Sequence, residues 1–254
     1  YQSIIEDWGS TSLAFERATE PLYRATIEAT RYYVEQSRDR YMVSLPELGA
    51  ATDDLSLMRG MQPLVLDMME QPEPVRAAIA RLTETWTDVH EELYQMAAPT
   101  SDDGCCIAWM QSWAPGRHFQ MSCDFSAVLS PRLFDEFIVP EIRAYLEVNE
   151  YSVYHWDGPD AVKFLDSLLA IEELDAIQWT QGAGSPPASD ARWIALYRRI
   201  QEAGKRLILP FVEVGEVEGL LSEISSRGLL IGTAASNEEV ARDLLARVAR
   251  WTRD

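Results

Sequence analysis

The chain has 254 residues, 47% of them hydrophobic, which suffices to bury one large core and excludes disordered and fibrous classes. With 22 Lys plus Arg against 41 Asp plus Glu, its net charge of −19 opposes nucleic-acid backbones and anionic lipid. No apolar run reaches the roughly 18 to 20 residues of a membrane-spanning helix, so a soluble protein with neither nucleic acid nor membrane as partner is expected.

In chain order, Leu13 to Gln36 and Pro72 to Met96 read as helices: the first is unbroken by Gly, with Pro21 marking a start or a kink, and the second carries apolar residues at three- and four-residue steps. His90 falls within the second, where a surface position is expected. Between them Tyr41-Met-Val-Ser-Leu45 reads as one short strand before Pro46. From Gly104 the pattern changes to short apolar runs separated by amphipathic segments, which implies parallel strands joined by crossover helices. Strands are expected at Cys105 to Met110, about Phe119 to Phe125, Tyr151 to His155, Ala176 to Trp179, Arg206 to Phe211 and Leu229 to Thr233. Helix starts are marked by Ser130-Pro131, Pro159, Ser189 or Asp190, and Ser236 with Glu239; Gly204 and Gly228 sit where helices must end. The densest cationic stretch, Arg192 to Arg206, is interleaved with Trp193, Tyr197 and Ile200, so it reads as a helix with a solvated face. These elements make about seven strands, one short of a closed barrel. A single (β/α)8 TIM barrel over residues 1–254 is expected, helix-rich to residue 100, with an open doubly wound sheet as the competing architecture. The first residue is Tyr rather than Met, which allows for a missing N-terminal segment.

Cys105, Cys106 and Cys123 are too few for a disulfide framework and point to a reducing cytoplasm. Cys105 and Cys106 lie inside an apolar run, which favours packing over catalysis.

The strongest chemical signal is Tyr154-His-Trp-Asp157-Gly-Pro159, where side-chain alternation along a strand points His155 and Asp157 to the same side. Such a pair can bind a metal or exchange protons; alternatively, Asp157 caps the next helix and His155 fills a polar core position. Gln178-Trp179 precedes a Gly-rich turn and supplies an amide and an indole for a pocket, although the spacing does not match a phosphate loop. Gln111, Trp113, Arg117 and His118 follow the strand at 105, with Arg117 available for a carboxylate; Asp124 can orient a basic group or simply begin a turn.

The segments Leu57-Met-Arg-Gly60, Gln71-Pro-Glu-Pro-Val75, Ser112-Trp113, Leu129-Ser-Pro-Arg-Leu-Phe-Asp-Glu-Phe137 with Pro140, and His155 through Gly158 resemble the uroporphyrinogen decarboxylase superfamily, which includes cobalamin-linked methyltransferases. The resemblance implies a TIM barrel. The methyltransferase branch is the nearer relative, because it carries a His-x-Cys-Gly motif where this chain has His155-Trp-Asp157-Gly158. In that branch the His and Cys, with a later Cys, hold zinc; here no cysteine follows position 123, so a divalent metal held by His155 and Asp157 would have a harder, more oxygen-rich setting. The resemblance therefore implies a small methylated or carboxylated substrate and a corrinoid protein as partner. The decarboxylase branch, with Asp124 holding a tetrapyrrole, is the alternative reading, and a ligand-binding barrel without catalysis is a third.

Overall fold

The structure is a computed structural model that describes residues 4–38 and 40–252. The chain divides into two compact units, Tyr1–Ser152 and Val153–Asp254.

The first unit is mainly helical. Helices α1 (Pro21–Ser37), α2 (Ala51–Arg59), α3 (Met61–Glu70) and α4 (Pro72–Ala97) open it. Pro21 and Pro72 stand in the first turns of α1 and α4, where a missing N–H is harmless. The 26-residue α4 buries Val75, Ile79, Trp86, Leu93 and Ala97 along one stripe, and its Leu93 and Ala97 join Ile27 of α1, Val43 and Leu45 in one core cluster. After β1 (Cys105–Ile107), β2 (Ser112–Ala114) and β3 (His118–Met121) comes a helical run of α5 (Pro131–Leu133), a π-helical turn (Phe134–Ile138) and α6 (Val139–Leu146). Ser130 caps this run by accepting from the Leu133 N–H. Pro140 has no N–H to give to the turn before it, and the helix widens there.

The second unit alternates strands and helices: β4 (Tyr151–Asp157), which begins at the end of the first unit, then α7 (Leu165–Leu169), β5 (Ala176–Thr180), α8 (Ala191–Glu202), β6 (Arg206–Leu209), α9 (Val217–Glu223), β7 (Leu229–Ile231) and α10 (Glu238–Trp251). The pairs β4 with β5, β5 with β6 and β6 with β7 are parallel, with His155 opposite Gln178, Trp156 opposite Trp179 and Asp157 opposite Thr180. One face of these strands is aromatic. Trp156 and Trp179 are completely buried with ring centroids 4.5 Å apart, and Trp179 meets Trp193 of α8 at 5.1 Å. Asp190 caps α8, whereas α10 is capped by Asn237 rather than by Ser236. Gly204 and Gly228 both have positive φ, as expected.

The α/β alternation after residue 104 is present, but the closed barrel is not. Among the described residues there are seven strands in two sheets, one of order β1-β2 and one of order β3-β4-β5-β6-β7. The order is linear, so its end strands do not join. Two local causes are visible. Tyr41 to Leu45 forms no ladder: the Val43 N–H donates to Thr100 Oγ1 (2.8 Å) and the Ser44 hydroxyl to the Cys106 carbonyl (3.2 Å), so side chains take bonds that a neighbouring strand would need. The run from Cys105 stops at Ile107, turns through Gln111 at φ 56° and returns as β2, an antiparallel hairpin that cannot serve as a parallel barrel strand.

Candidate active site

In the second unit the polar residues of β4 and β5 converge. His155 and Gln178 are register partners two pairs before Asp157 and Thr180, so all four share one face, opposite the tryptophans. His155 Nδ1 is hydrogen-bonded to Gln178 Oε1. Gln178, completely buried, donates from Nε2 to Thr180 Oγ1 at 2.7 Å. With Gln178 Oε1 facing the imidazole, Nδ1–H is the donor to it and the lone pair falls on Nε2. Asp157 is exposed and His155 half-buried.

The turn that follows β4 depends on glycine. Gly158 has φ 79° and ψ 159°, a region closed to other residues, and its N–H donates to the Thr180 carbonyl at 2.9 Å. Gly182, at φ 77°, would bring an added Cβ to 3.4 Å from the Gly158 Cα, so the turns after β4 and β5 sit against each other. The Gly-rich segment thus closes the strand ends and lets Pro159 begin a 3₁₀ helix over Pro159–Phe164. Trp179 was expected to line a pocket; it points into the aromatic core instead.

The other expected site residues belong to the first unit. The Arg117 guanidinium donates to both Glu91 oxygens at 2.7 and 2.8 Å, reaches Glu150 at 3.4 Å and lies over the Tyr94 ring, and this pairing lowers the Glu91 carboxyl to about 2. His118 is buried, with Nε2 at 2.9 Å from Ser112 Oγ and Nδ1 at 3.2 Å from the Tyr151 carbonyl. Gln111 is exposed at the hairpin turn, and the half-exposed Trp113 donates from its indole to the Ser101 carbonyl. Asp124 is exposed and begins a 3₁₀ turn over Asp124–Val128, whose first N–H groups donate to the Asp53 carboxylate at 3.1 and 2.8 Å. The cysteines are poor nucleophiles: burial pushes Cys105 up to about 12 and Cys123 well above its usual range.

Two residues of this unit carried no signal that led to them. His90, expected on the surface, is 1% exposed, stacked on Trp86 at 4.6 Å and lowered to about 4 by burial. Glu141 is buried on α6, where it accepts from the Thr52 N–H (3.2 Å), the Thr52 hydroxyl and the Tyr145 hydroxyl (2.9 Å); burial raises it to about 7. A charged residue on the apolar stripe of Phe137, Ile138, Ile142 and Tyr145 is the pattern that could have revealed Glu141.

No protein-family model and no curated protein matches the chain. A methyltransferase from Methanosarcina mazei has a similar fold, with a TM-score of 0.60 and 12% sequence identity over 97% of this chain and 69% of that one. At that identity the likeness is one of fold. No helix among the described residues is long and apolar enough to cross a membrane.

Proposed function

We propose that the chain is a methyltransferase-like enzyme of the uroporphyrinogen decarboxylase superfamily, acting on a small methylated or carboxylated substrate at the ends of β4 and β5. The observation that supports this reading is the His155–Gln178–Thr180 hydrogen-bond chain beside Asp157. A histidine whose Nδ1–H is held by a buried acceptor presents Nε2 as a defined base or ligand, and an exposed carboxylate lies two residues along the same face. The fold shared with a methyltransferase is consistent with it.

The donor set decides which metal suits the pair. The residues from Val153 to Asp254 contain no cysteine, so a sulfur-bound zinc site does not fit, whereas one imidazole and one carboxylate suit a harder divalent ion. When bound, such an ion would supply Lewis-acid activation of a substrate heteroatom. The chain's own contribution is to hold His155 in one tautomer through Gln178 and to keep Asp157 at the strand end, poised for a proton or a polar substrate atom. A corrinoid protein is the methyl-carrying partner in this reading.

Metal titration and methyl transfer from methanol, methylamine or methanethiol to free cob(I)alamin test it. His155→Ala is expected to abolish both, and Gln178→Leu to weaken metal binding by about 10- to 100-fold, while Gln178→Glu, which keeps an acceptor for Nδ1–H, retains most of it. Loss of neither metal nor turnover in His155→Ala overturns the assignment. Carbon dioxide release from uroporphyrinogen in place of methyl transfer would make the chain a decarboxylase.

A further inference from the structure

Helix α2 has no cap of its own. Its N-cap residue is Ala50, whose side chain accepts nothing, so the first N–H groups of the helix must find acceptors elsewhere. Helix α6 supplies them. The Ala51 N–H donates to the Tyr145 hydroxyl at 2.9 Å and the Thr52 N–H to Glu141 Oε1 at 3.2 Å, while the Tyr145 and Thr52 hydroxyls also bond the Glu141 carboxyl. One residue on, Asp53 takes the Asp124 and Phe125 N–H groups, so the 3₁₀ turn over Asp124–Val128 is tied to the same end of α2. A line of bonds thus runs within the first unit from Glu141 through Thr52 and Asp53 to that turn.

The charge around Glu141 makes this line conditional. The side chain is buried, and all its hydrogen-bond donors are neutral. The other titratable groups that face it are Asp53 on α2, Tyr145 on its own helix and Cys123 ahead of the turn; burial keeps the last two uncharged, and none is a cation. Glu141 also lines a hollow of about 550 Å³ between α4 and α6, where the charged groups are Arg76, Glu84, Asp88, Glu136 and Glu147. Of these only Arg76 is positive, and it is paired with Glu73 and Glu136. The acid form of Glu141 fits such a place: it keeps two acceptor bonds and turns the third, its own O–H donating to Thr52 Oγ1. The anion carries a desolvation cost that neutral donors offset in part, and burial accordingly raises the carboxyl to about 7.

We propose that Glu141 is a pH-operated latch: as the acid it holds the start of α2 on α6, and on losing its proton it loosens that hold, so that the start of α2 and the turn at Asp124 open to water together. The device acts within the first unit and is independent of the reaction proposed at His155.

Amide hydrogen exchange, expressed as protection relative to the unstructured rate at each pH, tests it. Opening releases the proton that the closed form holds, so the protection of Thr52, Asp124 and Phe125 is expected to fall about 10-fold per pH unit between about pH 5 and about pH 7 and to level off above. Amides of α8, in the other unit, serve as the reference and should not follow. Glu141→Gln keeps an acceptor for the Thr52 N–H and cannot ionise, so its protection is expected to stay level over the same range. A wild-type protein in which Thr52, Asp124 and Phe125 follow pH no differently from α8 overturns the proposal, a comparison that needs no variant to fold. Burial also raises Asp53, and the variant separates the two carboxyls: a fall that persists in Glu141→Gln belongs to Asp53 and overturns the latch.

Discussion

His155 and His90 are the same side chain in opposite settings. His155 stands at the end of a strand, half-buried, with one nitrogen tied to a buried amide and an exposed carboxylate two residues away. His90 lies in the middle of a long helix, sealed against Trp86 and Phe119, where burial holds it neutral. The difference teaches that the element around a titratable residue decides its use. A strand end offers alternation, a neighbouring register partner and a turn that can open to a substrate, while a helix interior offers only packing and whatever cleft runs alongside.

The contrast can be broken most forcefully at Trp179. If the two faces of β4 and β5 divide labour as described, Trp179→Ala is a core deletion and should cost about 3–5 kcal/mol in urea unfolding. A stable variant with a selective loss of ligand binding would instead make Trp179 a pocket wall and erase the distinction between the faces.

The second test uses pH on the first unit. Glu141 is raised to about 7 from its usual 4.5, so its contribution to stability is fully present below 4.5 and is lost as pH rises through 7. His90 is lowered to about 4 from 6.5, so its contribution is present above 6.5 and is lost as pH falls through 4. Each effect is on the order of 3 kcal/mol at full extent, and between 4.5 and 6.5 they oppose each other. Unfolding free energies measured from pH 4 to 8 should show Glu141→Gln removing the loss on the alkaline side and His90→Phe the loss on the acid side. Unchanged profiles in both variants would mean that these groups titrate as they do in water.

The smallest effect expected is at Gly158. Nothing lies within 4 Å of an added Cβ there, so Gly158→Ala meets only the backbone cost of its φ and ψ, about 1–3 kcal/mol. A loss of metal binding out of proportion to that cost would show that the turn, as well as the relay through Gln178, aligns Asp157.

The parts of the molecule legible in the sequence were those governed by local rules. The helical spacing of α4, the cap at Ser130, the positive φ at Gly204 and Gly228, and the shared face of His155 and Asp157 all follow from a few neighbouring residues. Closure into a barrel depended instead on pairing between distant segments. Nothing local to Tyr41–Leu45 reveals that Thr100 and Cys106 will take its hydrogen bonds, nor does the apolar run at Cys105 announce a hairpin, since β2 is only three residues long. The candidate site was partly legible for the same reason. His155, Asp157 and Gln178 stand at strand ends, but the role of Gln178 as the partner of the histidine rests on the β4–β5 register, and Trp179 was misplaced by one step of alternation. Arg117 carried a signal for anion binding that Glu91, 26 positions earlier in the chain, already answers.

The linear strand order has a practical consequence. At the last position β7 pairs, among the described strands, only with β6, and its three residues, Leu229 to Ile231, are all half-exposed. An uncharged apolar edge of this kind is a template on which a strand from another molecule can dock. A lysine substituted on that edge is therefore expected to lower self-association at high concentration, as read by light scattering, without touching the chemistry at His155.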